Sequence, residues 1–247
     1  MKSVTVDLED RNYNAATFSD FGTKILKLST VVAVYNDGIK WKAIPLYILN
    51  SYPIIYDEYY EQSSDVKTVI SIYVCPHTLY SCIYFGKYKL HDKMYNNNIT
   101  IVNEHDNIWI VPILNKVYSL STDELIDEYI KKKEIKIITL KNVIYMYPDC
   151  QIINIKPIPE KQQIVQYDNK INNKKLIYVI EYKSKNISEY KYTVIIPKHN
   201  TFDINKNGFN KYFHSMAEQI RMKGGIIHTC FMDDWNMNKI ESKIIEL

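Results

Sequence analysis

Three stretches of this chain are patterned to fold back on themselves, and they constrain the fold more than any other feature. In "STVVAVYNDGIKWKAI" (29–44) two β-branched or aromatic runs flank Asn36, Asp37 and Gly38. An Asp-Gly pair supplies the positive φ angles of a tight hairpin turn. "ITIVNEHDNIWIV" (99–111) repeats the design around a polar turn, and "KLIYVIEYKSKNISEYKYTVIIP" (175–197) sets two alternating arms around "SKNIS". Further strands are expected at 67–74, 79–85, 135–140, 143–147, 151–156 and 226–231. Consecutive strands joined by short turns favour antiparallel sheets over βαβ winding. The expected fold is therefore α+β and β-rich: antiparallel hairpins or a meander with two or three short helices.

Helical signals are few. Pro45 can open one turn over 45–51. Thr122 can cap "DELIDEYIKKK", which has acids in its first turn and lysines in its last, as the helix dipole prefers. "FNKYFHSMAEQIRMKGG" (209–225) places Phe209, Phe213, Met216 and Ile220 on one face and stops at Gly224-Gly225. Residues 157–174 are polar with two prolines. They suggest a break near 158 between a β-rich domain (1–158) and a hairpin-plus-helix part (159–247), with one continuous domain as the alternative.

Composition narrows the function classes. The chain has 247 residues, enough to bury a core without disulfides or metal. It has six glycines and neither a GxGxxG nor a GxxxxGK[ST] cradle. The net charge is +3, and Arg11 and Arg221 are the only arginines. Readers of nucleic acid lean on arginine for bidentate contacts, so nucleic acid is a disfavoured partner. The N-terminus lacks an apolar core, so no secretory signal is expected. No run approaches the length of a membrane helix. Four sparse cysteines fit a reducing, intracellular setting. The 22 tyrosines, with abundant Ile, Lys and Asn and little Arg, Ala or Gly, fit an AT-rich genome such as that of a large DNA virus.

The stretch "YVCPHTLYSC" (73–82) concentrates the candidate chemistry. On a strand Cys75 and His77 share a face. Cys82 follows on the next strand, so three ligands can converge, with His228 or Cys230 as a fourth. Such a set suits zinc, although zinc sites usually use CxxC pairs. The simpler reading is that the thiols pack as small hydrophobes, and no cofactor is then required. A reactive thiol needs a lowered pKa, for which His77 is the local candidate. Glu104, His105 and Asp106 can supply a base or a ligand, but they fall where a hairpin turn is expected. Tyrosine offers large amphipathic contact area. Tyr56, Tyr59 and Tyr60, with Tyr182, Tyr190 and Tyr192, are therefore the candidate protein interface.

A series of short patterns resembles domain-of-unknown-function family 3179. The hairpin "VVAVYNDGIKWK" (31–42) is followed by the proline turn "AIPLYILN" (43–50), "IIYDE" (54–58) and the strand "VISIYVCP" (69–76). "FGKYKLHDKMYNNNITIVNEHDNIW" (85–109) resembles the family's phenylalanine-glycine block, with Phe85, Gly86, Asn97 and Trp109. "TLKNVIYMYPDCQIINI" (139–155) resembles its late segment, with Pro148 and Asp149. The chain departs where the family has Cys-Pro-x-Cys-Gly: Thr78 replaces the second cysteine and Leu79 the glycine. The resemblance implies fold and ancestry, a giant DNA virus of the mimivirus kind fitting the codon bias, and no particular reaction. The expected function is non-catalytic: a virion component, or an intracellular protein that binds another protein, with oligomeric state open. The alternative is an enzyme or metal-dependent module built on Cys75, His77 and Cys82, with His105 nearby.

Overall fold

The computed structural model describes residues 2–3, 12–14, 18–20, 26–61, 66–153, 176–183, 190–196, 226–231 and 242–246. The expected break at 157–174 and the expected helix at 209–225 lie outside them. Among the described residues the chain forms β1 (Lys2–Ser3), β2 (Asn12–Asn14), β3 (Phe18–Asp20), β4 (Val31–Asn36) and β5 (Trp41–Pro45), then helix α1 (Leu46–Ser51). Next come β6 (Ile54–Tyr60), β7 (Lys67–Val74), β8 (Ser81–Phe85), β9 (Lys89–Tyr95), β10 (Asn98–Asn103) and β11 (Ile108–Val111). A 3-10 turn (Pro112–Leu114) leads to β12 (Lys116–Ser119), β13 (Leu125–Ile126), β14 (Lys132–Lys133) and β15 (Lys136–Thr139). Helix α2 (Leu140–Met146) precedes β16 (Gln151–Ile153), β17 (Leu176–Lys183), β18 (Tyr190–Ile196), β19 (Ile226–Phe231) and β20 (Ser242–Glu246).

These strands make four sheets, so the β-rich, mainly antiparallel α+β expectation holds. Sheet I runs β1-β9-β10-β11-β12-β13, sheet II β14-β8-β7-β6-β2, sheet III β15-β4-β5-β16-β3 and sheet IV β19-β17-β18-β20. Every pairing is antiparallel except β2 with β6, β5 with β16 and β18 with β20. The arms of all three hairpins pair as their sequences predict; the bend of the third, at 184–188, lies outside the described residues. At the first turn the Asp37 carboxylate accepts the amides of Ile39 and Lys40 at 2.9 and 2.7 Å. Gly38 has φ +100°, and a Cβ there would lie 1.9 Å from the Tyr60 carbonyl oxygen. Only glycine fits a turn that β6 crosses so closely.

Sheet II is the middle layer. On β7 and β8, Tyr73, Cys82 and Tyr84 face a core shared with sheet I, through Ile99, Ile101 and Trp109, and with sheet IV, through Ile177, Val179 and Cys230. Ile70, Ile72, Val74 and Ile83 face the opposite way, into a core shared with α1 and with Ala33 and Tyr35 of sheet III. Burial on both faces explains why β7 reads as a nearly continuous apolar run. On β4 the alternation continues: Val32 and Val34 face a third core beneath α2, with Leu140 and Val143.

Two expectations are corrected. Residues 122–133 form no helix; they contain a turn, β13 and β14. Thr122 Oγ1 accepts the amide of Glu124, only two residues on, at 3.4 Å, and Asp123 has a left-handed φ of +57°. Distant partners hold the charged side chains that suggested a helix. Asp123 pairs with Lys93 at 2.6 Å and accepts Trp109 Nε1–H at 2.8 Å, while the lysines reach across sheets. The strand expected at 143–147 is α2 instead. Leu140 and Val143, spaced i and i+3, bury one helical side, while Ile144 and Tyr145 face out.

Candidate functional site

The loop from Cys75 to Tyr80 is closed by its own backbone. The Cys75 amide donates to the Tyr80 carbonyl at 2.9 Å, and the Leu79 amide to the Cys75 carbonyl at 2.9 Å. Thr78 Oγ1 accepts the Tyr80 amide at 3.3 Å and Asn98 Nδ2–H at 3.0 Å. Cys75 and Cys82 are both fully buried in the core shared by sheets I, II and IV. Cys75 Sγ donates to the Asn97 carbonyl at 3.6 Å, and Cys82 Sγ to that of Lys133 at 3.2 Å. Burial pushes the Cys82 thiol up to about 12, against the pull of the Lys132 ammonium. His77 lies in the turn, half-buried. His105 is exposed in the β10–β11 turn. Cys75 touches the residue just before β10 begins and His105 follows its end, so roughly 20 Å of strand separates them. Among the described residues no three or more His, Cys, Asp or Glu side chains group closely enough to hold a metal ion.

The Glu104–His105–Asp106 trio is the turn of its hairpin. Asn103 Oδ1 accepts the amides of His105 and Asp106, and Asn103 Nδ2–H donates to Asp106 at 2.6 Å. Of the interface tyrosines, Tyr56 is buried, and its hydroxyl donates to the Tyr88 carbonyl at 2.5 Å. Tyr59 and Tyr60 are half-buried on β6. Tyr182, Tyr190 and Tyr192 lie on the β17–β18 hairpin, with side chains outside the described set.

The most concentrated chemistry joins sheets II and IV. Lys132 Nζ donates to both oxygens of Glu181, at 2.7 and 2.8 Å, and to Asn115 Oδ1 at 2.7 Å. His228 Nε2 lies 2.9 Å from Glu181 Oε2, and Nδ1 lies 3.1 Å from the Ser81 carbonyl oxygen. The Tyr80 hydroxyl lies 3.4 Å from the same Nε2. The Tyr80 ring stacks on the imidazole with centroids 4.6 Å apart. The side chains of Lys132, Glu181 and His228 are 2%, 2% and 1% exposed. Burial alone would raise the Glu181 carboxyl. The Lys132 ammonium and the His228 hydrogen bond outweigh it and hold the group down to about 2.

Beside this network lies a hollow of about 220 Å³, lined by Asn36, Trp41, Lys132, Lys133, Glu134 and Lys136 over Val34, Ile83 and Ile226. Lys133 Nζ donates to the Tyr59 hydroxyl and sits 3.9 Å above that ring. Lys136 Nζ donates to the Tyr147 hydroxyl at 2.6 Å and lies 5.0 Å from the Trp41 ring centroid. Trp41 and Tyr147 stack at 4.0 Å.

Lys132, Glu181 and the hollow are not among the features that the sequence singles out. Two local signals were present: a carboxylate at an inward position of "LIYVIEYK", and a histidine inside the apolar run "IIHTCF". A charge at a core-facing strand position implies a partner, but nothing in one sequence names Lys132 as that partner.

No family model, curated protein or solved structure matches this chain. Among the described residues no helix is long and apolar enough to cross a membrane.

Proposed function

We propose that this chain is a non-catalytic binding protein, acting inside the cell or as part of a virion, and that its partner is a protein that docks at the α2 corner. Tyr145 carries the reading. Its side chain is 83% exposed, beside Ile144 at 42%, on a helix whose other side is buried. The Leu140 amide donates to the Thr30 carbonyl at 2.8 Å and the Lys141 amide to the Leu28 carbonyl at 3.0 Å. These bonds set the preceding loop, with Leu28 56% exposed, against the start of the helix. Large apolar side chains grouped at a surface mark interaction sites more often than single ones do, and tyrosine gives contact area at low entropic cost. The buried, proton-holding Cys82 supports packing rather than nucleophilic chemistry for that thiol.

Kinship with domain-of-unknown-function family 3179, and origin in a large DNA virus, belong to the same proposal. Leu79 has φ +61°, in the left-handed region that glycine suits best. Glycine is the residue the family carries at that position, and a composition rich in Ile, Lys, Asn and Tyr and poor in Arg, Ala and Gly supports the viral origin.

The test is affinity purification from the cells or particles that carry the protein, comparing wild type with Ile144→Asp/Tyr145→Asp. A stoichiometric protein partner held by wild type and lost by the variant is the expected outcome. Equal retention by both would remove the α2 corner from the reading. A partner-free monomer absent from particles would remove the reading itself.

A further inference from the structure

Resting on the docking role proposed for the α2 corner, we infer that the protein segment this corner receives is acidic: Asp or Glu side chains beside an apolar anchor. Lys141 and Tyr145 are four residues apart on α2 and Ile144 is three from Lys141, so the three are neighbours on the helix surface, and all three are exposed. The Lys141 amide donates to the Leu28 carbonyl at 3.0 Å. That bond brings Lys27 and Leu28, both exposed, to the same end of the helix. Two cations therefore accompany the apolar group of Leu28, Ile144 and Tyr145.

Both ammonium groups are uncommitted. Among the described residues neither the Lys27 nor the Lys141 side chain has an ion pair, a hydrogen bond or an aromatic ring beneath it. Other exposed lysines find carboxylates: Lys67 meets Glu58 at 3.2 Å, Lys89 meets Glu104 at 3.0 Å and Lys131 meets Glu61 at 3.7 Å. Asp149, in the turn that follows the opposite end of α2, is exposed and pairs with neither lysine of the corner. The exposed apolar side chains make the corner a place where a partner expels water. A wholly apolar partner would strip water from the two ammonium groups and give nothing back, and a basic one would be repelled. A partner bearing carboxylates gains charge-assisted contacts with both lysines and is steered toward them before contact.

The experiment pans a displayed library of random peptides on the full chain, with Ile144→Asp/Tyr145→Asp as the counter-selection, and measures the affinity of enriched peptides by fluorescence polarisation. Peptides that bind wild type and not the counter-selecting variant should carry an excess of Asp and Glu around an apolar residue. Lys27→Glu/Lys141→Glu should weaken them by roughly tenfold or more, and their affinity should fall as salt rises. Lys27→Arg/Lys141→Arg keeps the charge and should keep binding. Both lysines are exposed and unpaired, so neither double variant should move the unfolding midpoint. Enriched peptides without an acidic excess, or acidic ones that bind the glutamate variant as tightly as wild type, would overturn the inference while leaving the docking role standing. No peptide enriched on wild type over the counter-selecting variant would count against both.

Discussion

Lys42 and Lys132 are both buried cations held by carboxylates, yet they clamp the molecule differently. Lys42 reaches Asp37 at 2.8 Å and Asp57 at 2.7 Å, and the Tyr35 hydroxyl joins the second carboxylate at 2.7 Å. Its partners are near in sequence, and the side chains keep a little solvent, at 11% exposure for Lys42 and Asp57. Lys132 finds its carboxylate 49 residues away on another sheet, with both side chains 2% exposed. Desolvation penalties grow steeply as the last water leaves. The first cluster is therefore a short-range brace that ties the β4–β5 hairpin of sheet III to the neighbouring β6 of sheet II. The second is a tether between sheets II and IV that tolerates no missing member.

The largest expected effect tests that distinction. Glu181→Leu leaves the Lys132 ammonium and the His228 ring without their shared carboxylate inside the core. It should cost about 3–5 kcal/mol of stability by denaturant unfolding, the usual penalty for breaking a buried pair. Adding Lys132→Met should recover most of the loss, because an apolar pair fills the space without stranding a charge. Simple additivity of the two losses would show that the groups do not act as a unit.

Next in size is the pH dependence, and the two clamps should fail at opposite ends of the scale. The folded Glu181 carboxyl is held near 2, below its usual value of 4.5. Its contribution is complete above about pH 4.5 and lost as pH falls toward 2, a change of about 3 kcal/mol. Glu181→Gln should flatten that acid limb. For Lys42, burial pulls the ammonium down, but the bonds to Asp37 and Asp57 outweigh it and raise the group above 10.5. Its contribution is complete below pH 10.5 and fades as pH climbs through the raised value. Lys42→Met should remove that alkaline component and leave the acid limb unchanged.

At neutral pH, Lys42→Met should cost less than breaking the Glu181 tether, about 2 kcal/mol, since Asp37 and Asp57 can still reach water at the edge of the hairpin. A loss equal to that of Glu181→Leu would erase the contrast between brace and tether.

The same contrast explains what the sequence disclosed. The Lys42 brace sits on a hairpin whose Asp-Gly turn announces itself, and Asp37 serves both turn and ion pair. The tether depends on a register between sheets that no local pattern encodes. The lysines 131–133 look like the charged end of a helix because dipole and spacing rules are local, whereas Glu181, Glu61 and the Tyr59 ring, which hold them, are far off in the chain. The thiols were legible as core because apolar strand patterns surround them. The hollow was not, because Lys133 and Lys136 gain meaning only when two sheet edges meet.

The smallest effect is a rate, and it locates the weak point. All four thiols are buried in the folded protein. Cys82 and Cys230 share the core that the tether closes, whereas Cys150 lies in the core beneath α2, beyond sheets II and III. If the tether governs the opening of sheet IV, Glu181→Leu should speed modification of Cys82 and Cys230 by a thiol reagent in native buffer, by roughly tenfold or more, and leave Cys150 slow. Lys42→Met should not show that pattern, because its brace lies within sheets II and III. Mass spectrometry of the labelled peptides reads the four sites separately. Uniform acceleration at all four would mean that the protein opens only by global unfolding, and that the two clamps differ in strength but not in what they hold.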